Sequence, residues 1–304
     1  MTEKARIGII GAGLMGHGIA QVFAVAGHDV RVHDPVAESL ATLKERIAAN
    51  LRDLDLDPAA VEHVSPAATL EDAAGDADVV FEAAPEKPEL KQAIFSALEQ
   101  AARPDAILAS NTSVIPIGII GGHLESRHRV VGTHWWNPPY LVPLVEVVQG
   151  AGTSADTVAR MIALLTSVGK TPVHVKRDVA GFVGNRLQHA LWREAIALVQ
   201  EGVCDAETVD TVVKASFGRR LAVLGPLENA DLVGTDLTLD IHRNVLPHID
   251  HTPGPLPHLE ELVASGRLGM KSGEGFRTWT QKEQKDLRAR VLGHLKKAAA
   301  QAGE

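Results

Sequence analysis

Short runs of β-branched and aliphatic residues alternate with longer stretches of helical periodicity through the first half of the chain. The runs predict strands at Arg6–Ile10, Asp29–His33, Asp78–Ala83, Ala106–Ala109, Arg129–Thr133, Leu144–Val148 and Pro172–Val175. Helices are predicted between them at Leu14–Ala26, Ala37–Leu51, Glu89–Ala101 and Asp156–Val168. Strands separated by helices imply a parallel sheet covered on both faces. The rhythm changes after Asp178-Val179-Ala180-Gly181. A helix is expected over Phe182–Glu201, with Leu187, Leu191, Ala195 and Leu198 on one stripe and Gly202 as its stop. Further helices are expected at Asp205–Ser216, Pro257–Ser265 and Gln281–Ala300, with no strand after Val175 and no internal repeat. The fold class that follows is α/β: a doubly wound sheet domain over residues 1–180, then an all-α domain over 181–304, with a ligand expected in the cleft between them.

Composition narrows the function classes. At 304 residues the chain can build two cores, and a net charge of -8 without a concentrated basic face argues against a nucleic-acid partner. No stretch is long and apolar enough to predict a membrane span, and the apolar run near the N-terminus is too short and glycine-broken for a signal peptide. A single cysteine, Cys204, leaves no internal disulfide framework and suggests a reducing, cytoplasmic setting. The glycosylation pattern Asn111-Thr112-Ser113 then carries no weight. His242, His248, His251 and His258 lack metal-ligand spacing, so no metal site is expected.

The most informative segment is Ile7-Gly8-Ile9-Ile10-Gly11-Ala12-Gly13-Leu14-Met15-Gly16, a G-x-G-x-x-G between a predicted strand and a predicted helix. Gly11 suits the tight turn, Gly13 the approach of a pyrophosphate, and Gly16 close packing of the helix. The phosphates would lie at the helix N-terminus, beside Leu14 and Met15, where free N–H groups favour negative charge. Asp34 ends the second predicted strand, where a carboxylate can hold both ribose hydroxyls and repel a 2′-phosphate. Pro35-Val36-Ala37 follow it without an arginine, which favours NAD over NADP. These are the marks of a Rossmann-type domain.

Three more polar segments lie at strand ends, where open α/β sheets bind ligands: Ser110-Asn111-Thr112-Ser113, Thr133-His134-Trp135-Trp136-Asn137-Pro138-Pro139, and Leu144-Val145-Glu146-Val147. A fourth, Gly181-Phe182-Val183-Gly184-Asn185-Arg186, opens the second domain. Together with the glycine loop, and in this order along nearly the whole chain, they resemble the 3-hydroxyacyl-CoA dehydrogenase family. The resemblance implies an NAD-dependent oxidation of a secondary alcohol, a role in fatty acid metabolism, and a homodimer formed by the helical domain. Oxidising an alcohol needs a base, and imidazole is the side-chain type that titrates near working pH; His134 takes that role and Glu146 orients and charges it. The resemblance further implies that Ser113 and Asn185 bond the substrate oxygen, that Asn137 supports the base, and that Glu86 and Lys91 lie near the nicotinamide ribose.

Each of these residues also has a structural reading. His134 read alone could be a satisfied core histidine. Glu146 within an apolar run is harder to read that way, because a buried carboxylate needs a partner. Ser110–Ser113 could satisfy backbone groups after a strand, Asn185 could cap a helix, and Glu86 and Lys91 could form a solvated helix start. A competing enzyme class, the beta-hydroxyacid dehydrogenases of 6-phosphogluconate and 3-hydroxyisobutyrate, is similar at Gly13-Leu14-Met15-Gly16. Those enzymes use a lysine on the helix opening the second domain, and Phe182–Glu201 contains none. A non-enzymatic NAD-binding structural or sensor protein would have no use for a base–acid pair.

Substrate class divides the family. Asn137-Pro138-Pro139-Tyr140 and Arg220-Leu221-Ala222 are similar to relatives acting on small free acids, gulonate dehydrogenase (lens lambda-crystallin) and carnitine dehydrogenase. In that reading Arg220 grips a substrate carboxylate in bidentate fashion, with Trp135 and Trp136 beside the substrate; read alone, Arg220 could be a surface loop arginine, and the tryptophans could narrow the pocket, stack on a ring or simply pack. Gly269-Met270-Lys271-Ser272-Gly273-Glu274-Gly275-Phe276 resembles the acyl-CoA branch instead. The helix after the second strand, where the CoA phosphates would be held, offers only Lys44, Arg46 and Arg52 against Glu38, Glu45, Asp53 and Asp55.

Overall fold

In the computed structural model, which describes residues 4–301, eight strands form one sheet in the order β3-β2-β1-β4-β5-β6-β7-β8. They are β1 (Arg6–Ile10), β2 (Asp29–His33), β3 (Val64–Pro66), β4 (Val79–Glu82), β5 (Ile107–Ser110), β6 (Val130–Trp135), β7 (Leu144–Val148) and β8 (Thr171–Val175). All neighbours are parallel except β6 and β7, which run antiparallel and pair His134 with Glu146. The strand order reverses between β1 and β4, the switch point at which open sheets bind ligands. The glycine loop leaves the carboxyl end of β1 at that point.

Alternation along β1 builds both cores. Ile7 and Ile9 pack with Phe23 of α1 (Leu14–Val25) and with Leu43, Ile47 and Leu51, while Ile10 faces Phe95 and Leu98 on the opposite side. β4 and β6 are buried along their whole length, as central strands covered on both faces must be. The helices on the two faces are α2 (Ala37–Ala41), α3 (Leu43–Asp53), α4 (Leu70–Ala74), α5 (Pro88–Ala101), α6 (Ile117–Gly121) and α7 (Ala155–Ser167). Their starts follow local chemistry. Thr69 and Asp72 form a reciprocal capping box, Pro88 opens α5, and Ser154 accepts the Thr157 N–H. The single helix expected over Ala37–Leu51 is interrupted at Thr42, whose hydroxyl bonds back to the Glu38 carbonyl.

The chain divides into two units, the first comprising residues up to Asn185 together with the end of the chain from Leu292, the second Arg186–Val291. This differs from a simple cut at residue 180. The end of the last helix stays with the first unit because Lys296 bonds the Asp53 carboxylate at 2.6 Å and its carbonyl at 2.7 Å. The second unit contains α8 (Gly184–Gln200) from Arg186 on, α9 (Ala206–Ala215), α10 (Pro226–Val233), α11 (Thr235–Val245), α12 (Pro257–Ala264) and the first half of α13 (Gln281–Gln301). As expected it has no strand among the described residues, only isolated bridges at Gly269–Glu274 and Glu274–Thr278. Its apolar side chains are poorly covered: Ala197, Leu256 and Leu262 are its only buried hydrophobic residues among those described. The stripe expected on α8 is therefore not a core stripe, for Leu187 and Leu191 are exposed and Ala195 and Leu198 half-buried.

Among the described residues no helix is long and apolar enough to cross a membrane, and no group of side chains could hold a metal ion. Gly16 tests the fold around the glycine loop. A Cβ there would stand 1.7 Å from the Gly11 carbonyl oxygen, a backbone atom that cannot swing aside. Gly16→Ala gains at most about 1 kcal/mol of helix propensity, against roughly 1–3 kcal/mol of overpacking. The expected net effect is a lower unfolding midpoint in urea together with weakened NAD binding.

Candidate active site

The glycine loop is held in place before any ligand arrives. Gly11, at a φ of 105°, donates its N–H to the His33 carbonyl at 2.7 Å, and a Cβ there would strike the Ala83 carbonyl. The next peptide is gripped from both ends. Ala12 donates to the Asp34 carboxylate at 2.7 Å, and the Ala12 carbonyl accepts from the Arg46 guanidinium at 2.8 Å. The other Asp34 oxygen accepts the Val36 N–H. Gly13 caps α1 without any side-chain bond, and a Cβ on it would meet nothing within 4 Å. An uncapped helix N-terminus facing open space suits a pyrophosphate. Leu14 is exposed on this loop, whereas Met15 packs against the core. Behind it His17 donates from Nδ1 to the Gly13 carbonyl at 2.8 Å; burial, and secondarily the nearby Arg46 charge, lower its pKa despite that bond.

The candidate catalytic pair is built by strand register. His134 and Glu146 face each other across the β6–β7 ladder, both buried, with His134 Nδ1 2.7 Å from Glu146 Oε2. The carboxylate accepts only, so Nδ1 carries the proton and Nε2 is left to act as a base. Glu146 Oε1 accepts the N–H groups of Val183 at 2.9 Å and Gly184 at 3.0 Å, at the start of α8. Two left-handed residues, Gly181 (φ 74°) and Phe182 (φ 49°), turn those donors onto the carboxylate. A buried phenylalanine in that region is unusual, and this one stacks 5.7 Å from the His134 ring. Burial pushes the Glu146 pKa up. The bonds from His134, Gly184 and Val183 and the imidazole charge outweigh it and hold the carboxyl below its ordinary range.

A second buried carboxylate organises the neighbouring loops. Lys91 and Glu82 are both fully buried and joined at 2.7 Å, and Glu82 also accepts the Ser110 hydroxyl and the Ala84 N–H. Lys91 reaches Glu86 at 3.4 Å. Glu86 in turn accepts from the Thr112 hydroxyl and from the N–H groups of Ser113 (2.9 Å) and Val114 (3.1 Å). Burial raises the Glu86 pKa, and Thr112, Lys91 and those N–H groups pull it below the ordinary carboxylate range. The Ser113 carbonyl accepts the Asn185 amide at 2.8 Å. One chain of contacts thus runs from His134 through Glu146, Gly184, Asn185 and Ser113 to Glu86 and Lys91.

The remaining sequence candidates are placed differently. Trp135 alternates away from His134 and packs with Phe23 and Phe81 in the core, 2% exposed, so it does not line a substrate site. Its backbone N–H is held by Asn111 Oδ1 at 3.1 Å. Trp136 lies 5.1 Å from the His134 ring and leaves no room for a Cβ on Gly184. Asn137 is exposed and makes no hydrogen bond among the described residues. Lys91 has no exposed surface, so any influence on a ligand passes through Glu86. Arg220, in the second unit, lines a small pocket with Phe217, Leu224 and Asn229 and forms no ion pair among the described residues. Sequence reasoning missed Glu82, and named Asn111, Phe182 and Arg46 without the contacts they make here. Glu82 ends the apolar run Val79-Val80-Phe81, the same signal that picked out Glu146.

Comparison with known proteins agrees with this geometry. The family model of the 3-hydroxyacyl-CoA dehydrogenase NAD-binding domain matches residues 6–179, and that of the C-terminal domain residues 181–279. A 5-formyl-3-hydroxy-2-methylpyridine 4-carboxylate 5-dehydrogenase of Mesorhizobium japonicum is 36% identical, covering 93% of each chain. A probable 3-hydroxybutyryl-CoA dehydrogenase of Bacillus subtilis is 38% identical over 92% of this chain and 99% of its own length. The crystal structure of a 5-formyl-3-hydroxy-2-methylpyridine 4-carboxylic acid 5-dehydrogenase, described as an NAD+ dependent dismutase, superposes with a TM-score of 0.92 at 34% identity, covering 99% of both chains.

The depressed Glu146 pKa has a definite sign. Its stabilising contribution is complete above the unfolded value near 4.5 and is lost as pH falls through the lower folded value. Glu146→Gln should therefore lose less stability than the parent between pH 7 and pH 3, read from urea unfolding at both values.

Proposed function

The chain belongs to the 3-hydroxyacyl-CoA dehydrogenase family and is an NAD-dependent oxidoreductase; within that family we propose that it oxidises a small free hydroxy acid with His134 as the base. The observation that carries the mechanism is the buried 2.7 Å contact between His134 Nδ1 and Glu146. Bound NAD supplies the hydride acceptor. His134 Nε2 takes the hydroxyl proton, and Glu146 stabilises the imidazolium that forms. Ser113 and Asn185, joined to each other, hold the substrate oxygen, with Trp136 closing the space beside His134. Gly11, Gly13, Leu14, Met15 and Gly16 cradle the pyrophosphate, Asp34 the adenosine ribose and Glu86 the nicotinamide ribose.

The preference for a free acid rests on charge. Two of the three basic groups available for CoA phosphates are engaged elsewhere: Arg46 donates to the Ala12 and Ser39 carbonyls, and Lys44 pairs with Glu62. Arg220, which has no acidic partner among the described residues, is the candidate for the substrate carboxylate. The likeness to the pyridine carboxylate enzyme over nearly the whole chain supports a free carboxylate in place of a thioester; the substrate in that relative's name carries an aldehyde, which must add water before it can give up a hydride as an alcohol does. The thioester reading, which would place the enzyme in fatty acid metabolism, is favoured by the Gly269–Phe276 segment and the Bacillus relative. The thin core of the second unit, with Val223, Leu227 and Leu232 more than two-thirds exposed, supports a homodimer formed through it. Light scattering that gives a 32.3 kDa particle would contradict the dimer.

The deciding assay follows NADH in the presence of 5-formyl-3-hydroxy-2-methylpyridine 4-carboxylate, gulonate, carnitine, free 3-hydroxybutyrate and (S)-3-hydroxybutyryl-CoA. Turnover of a free hydroxy acid, with His134→Gln inactive, is the expected result; turnover of the pyridine aldehyde alone would report oxidation of an aldehyde hydrate and reject the hydroxy-acid reading. Arg220→Ala should then raise KM for that acid roughly 30–100-fold, the equivalent of about 2–3 kcal/mol for a charged hydrogen bond, with kcat little changed. Turnover confined to the thioester would reject the free-acid reading.

A further inference from the structure

The loop that joins the two catalytic strands is fastened by a lysine outside the site described so far. Lys170, which precedes β8, donates from Nζ to the Pro139 carbonyl and, at 3.1 Å, to the Val142 carbonyl. Both acceptors belong to the connection between β6, which carries His134, and β7, which carries Glu146. The same ammonium sits 5.6 Å from the centre of the Trp135 ring, next to His134 in sequence. No carboxylate pairs with it among the described residues. The loop also packs on α1: a Cβ on Gly18 would stand 2.9 Å from Pro139 and 3.4 Å from Tyr140. The loop is therefore held both by the helix that opens at the glycine loop and by the ammonium of Lys170.

We propose that Lys170 is a positioning residue for the hydride-transfer reaction, clamping the β6–β7 connection so that the His134–Glu146 pair keeps its register. A loop of this kind could be fastened by apolar packing alone. Half-burying an unpaired ammonium is a costly way to do it, because the charge is separated from water with only two carbonyls and an indole face in compensation. That cost is visible in the lysine itself: burial lowers its pKa from 10.5 to about 8. The ionisable groups near it are Tyr140, which lines the same cavity, and Asp53 beyond Tyr140, itself tied to Lys296. Burial, not any of these charges, is the cause of the shift.

The two consequences of that shift run in opposite directions. The fold favours the neutral amine, so on this group's account stability rises as pH climbs from about 8 toward 10.5. The clamp, in contrast, weakens over the same range, because a charged donor bonds carbonyls more strongly than a neutral amine. A group that only held the fold together would not separate activity from stability in this way.

The proposal rests on the reading of His134 and Glu146 as the reacting pair, so His134→Gln is included as the reference. Lys170→Met and Lys170→Arg are assayed with NAD+ and whichever of gulonate, carnitine and free 3-hydroxybutyrate turns over, or with (S)-3-hydroxybutyryl-CoA if only the thioester does. Lys170→Met should lose about tenfold or more in kcat, since a misplacement of ångström size can cost two orders of magnitude. Its KM for NAD should stay within about twofold, and its thermal midpoint should be unchanged or higher because a buried charge has gone. Lys170→Arg should keep most of kcat at pH 7, and the ratio of parent to Arg kcat should fall between pH 8 and pH 10 as only the parent loses its charge. Parental kcat in Lys170→Met with His134→Gln inactive overturns the clamp alone. Turnover surviving in His134→Gln overturns the catalytic reading and the clamp with it. If the arginine variant does not fold, kcat against thermal midpoint in the methionine variant decides.

Discussion

A carboxylate buried to 1% exposure must be compensated on every side, and around Glu146 that requirement organises the catalytic end of the sheet. One oxygen is given to His134, which fixes the antiparallel register of β6 on β7. The other is given to two backbone N–H groups, which requires the chain leaving β8 to turn through two left-handed residues before α8 begins. Neither demand could be met by a hydrophobic residue of the same size. His134, Glu146 and the entry into α8 are consequently one structural unit.

A similar arrangement, built on Glu82, governs the loops after β4 and β5. The buried Glu82–Lys91 pair holds Ser110 and the Ala84 peptide, while Lys91 also reaches Glu86, which gathers three donors from the Thr112–Val114 turn. The two systems meet at the bond from Asn185 to the Ser113 carbonyl. Positions that a ligand would read are thus set by buried charges beneath them, and the exposed loops have little freedom of their own.

Much of this was legible in the residues. Strand bounds at Arg6–Ile10, Asp29–His33 and Leu144–Val148 follow directly from apolar runs between turn residues, and the glycine loop with Asp34 identified the cofactor. Short elements escaped. β3 is three residues long and ends in proline, α4 and α6 span five residues each, and periodicity needs more than a turn or two to register. Trp135 and Trp136 could not be told apart because β6 runs two residues past the predicted end at Thr133, which places Trp135 on the far face of the sheet. Lys170 was invisible as a contributor, and Arg46 was considered only for CoA phosphates, because their partners are backbone carbonyls far away in sequence, which no side-chain motif records. The stripe on α8 was legible from its spacing, but spacing alone cannot say what an apolar face packs against, and Leu187 and Leu191 are exposed.

The closing stretch of α13 returns to the first unit and anchors on Asp53. The nucleotide-binding unit is therefore interrupted in sequence by the whole of the second unit. A nascent chain can assemble the sheet early, but the cavity that Val22 and Val25 of α1 share with Leu54, Leu56, Leu295, Ala298 and Ala299 lacks one wall until the chain has passed through the second unit and returned. The two units cannot then complete their folding strictly one after the other.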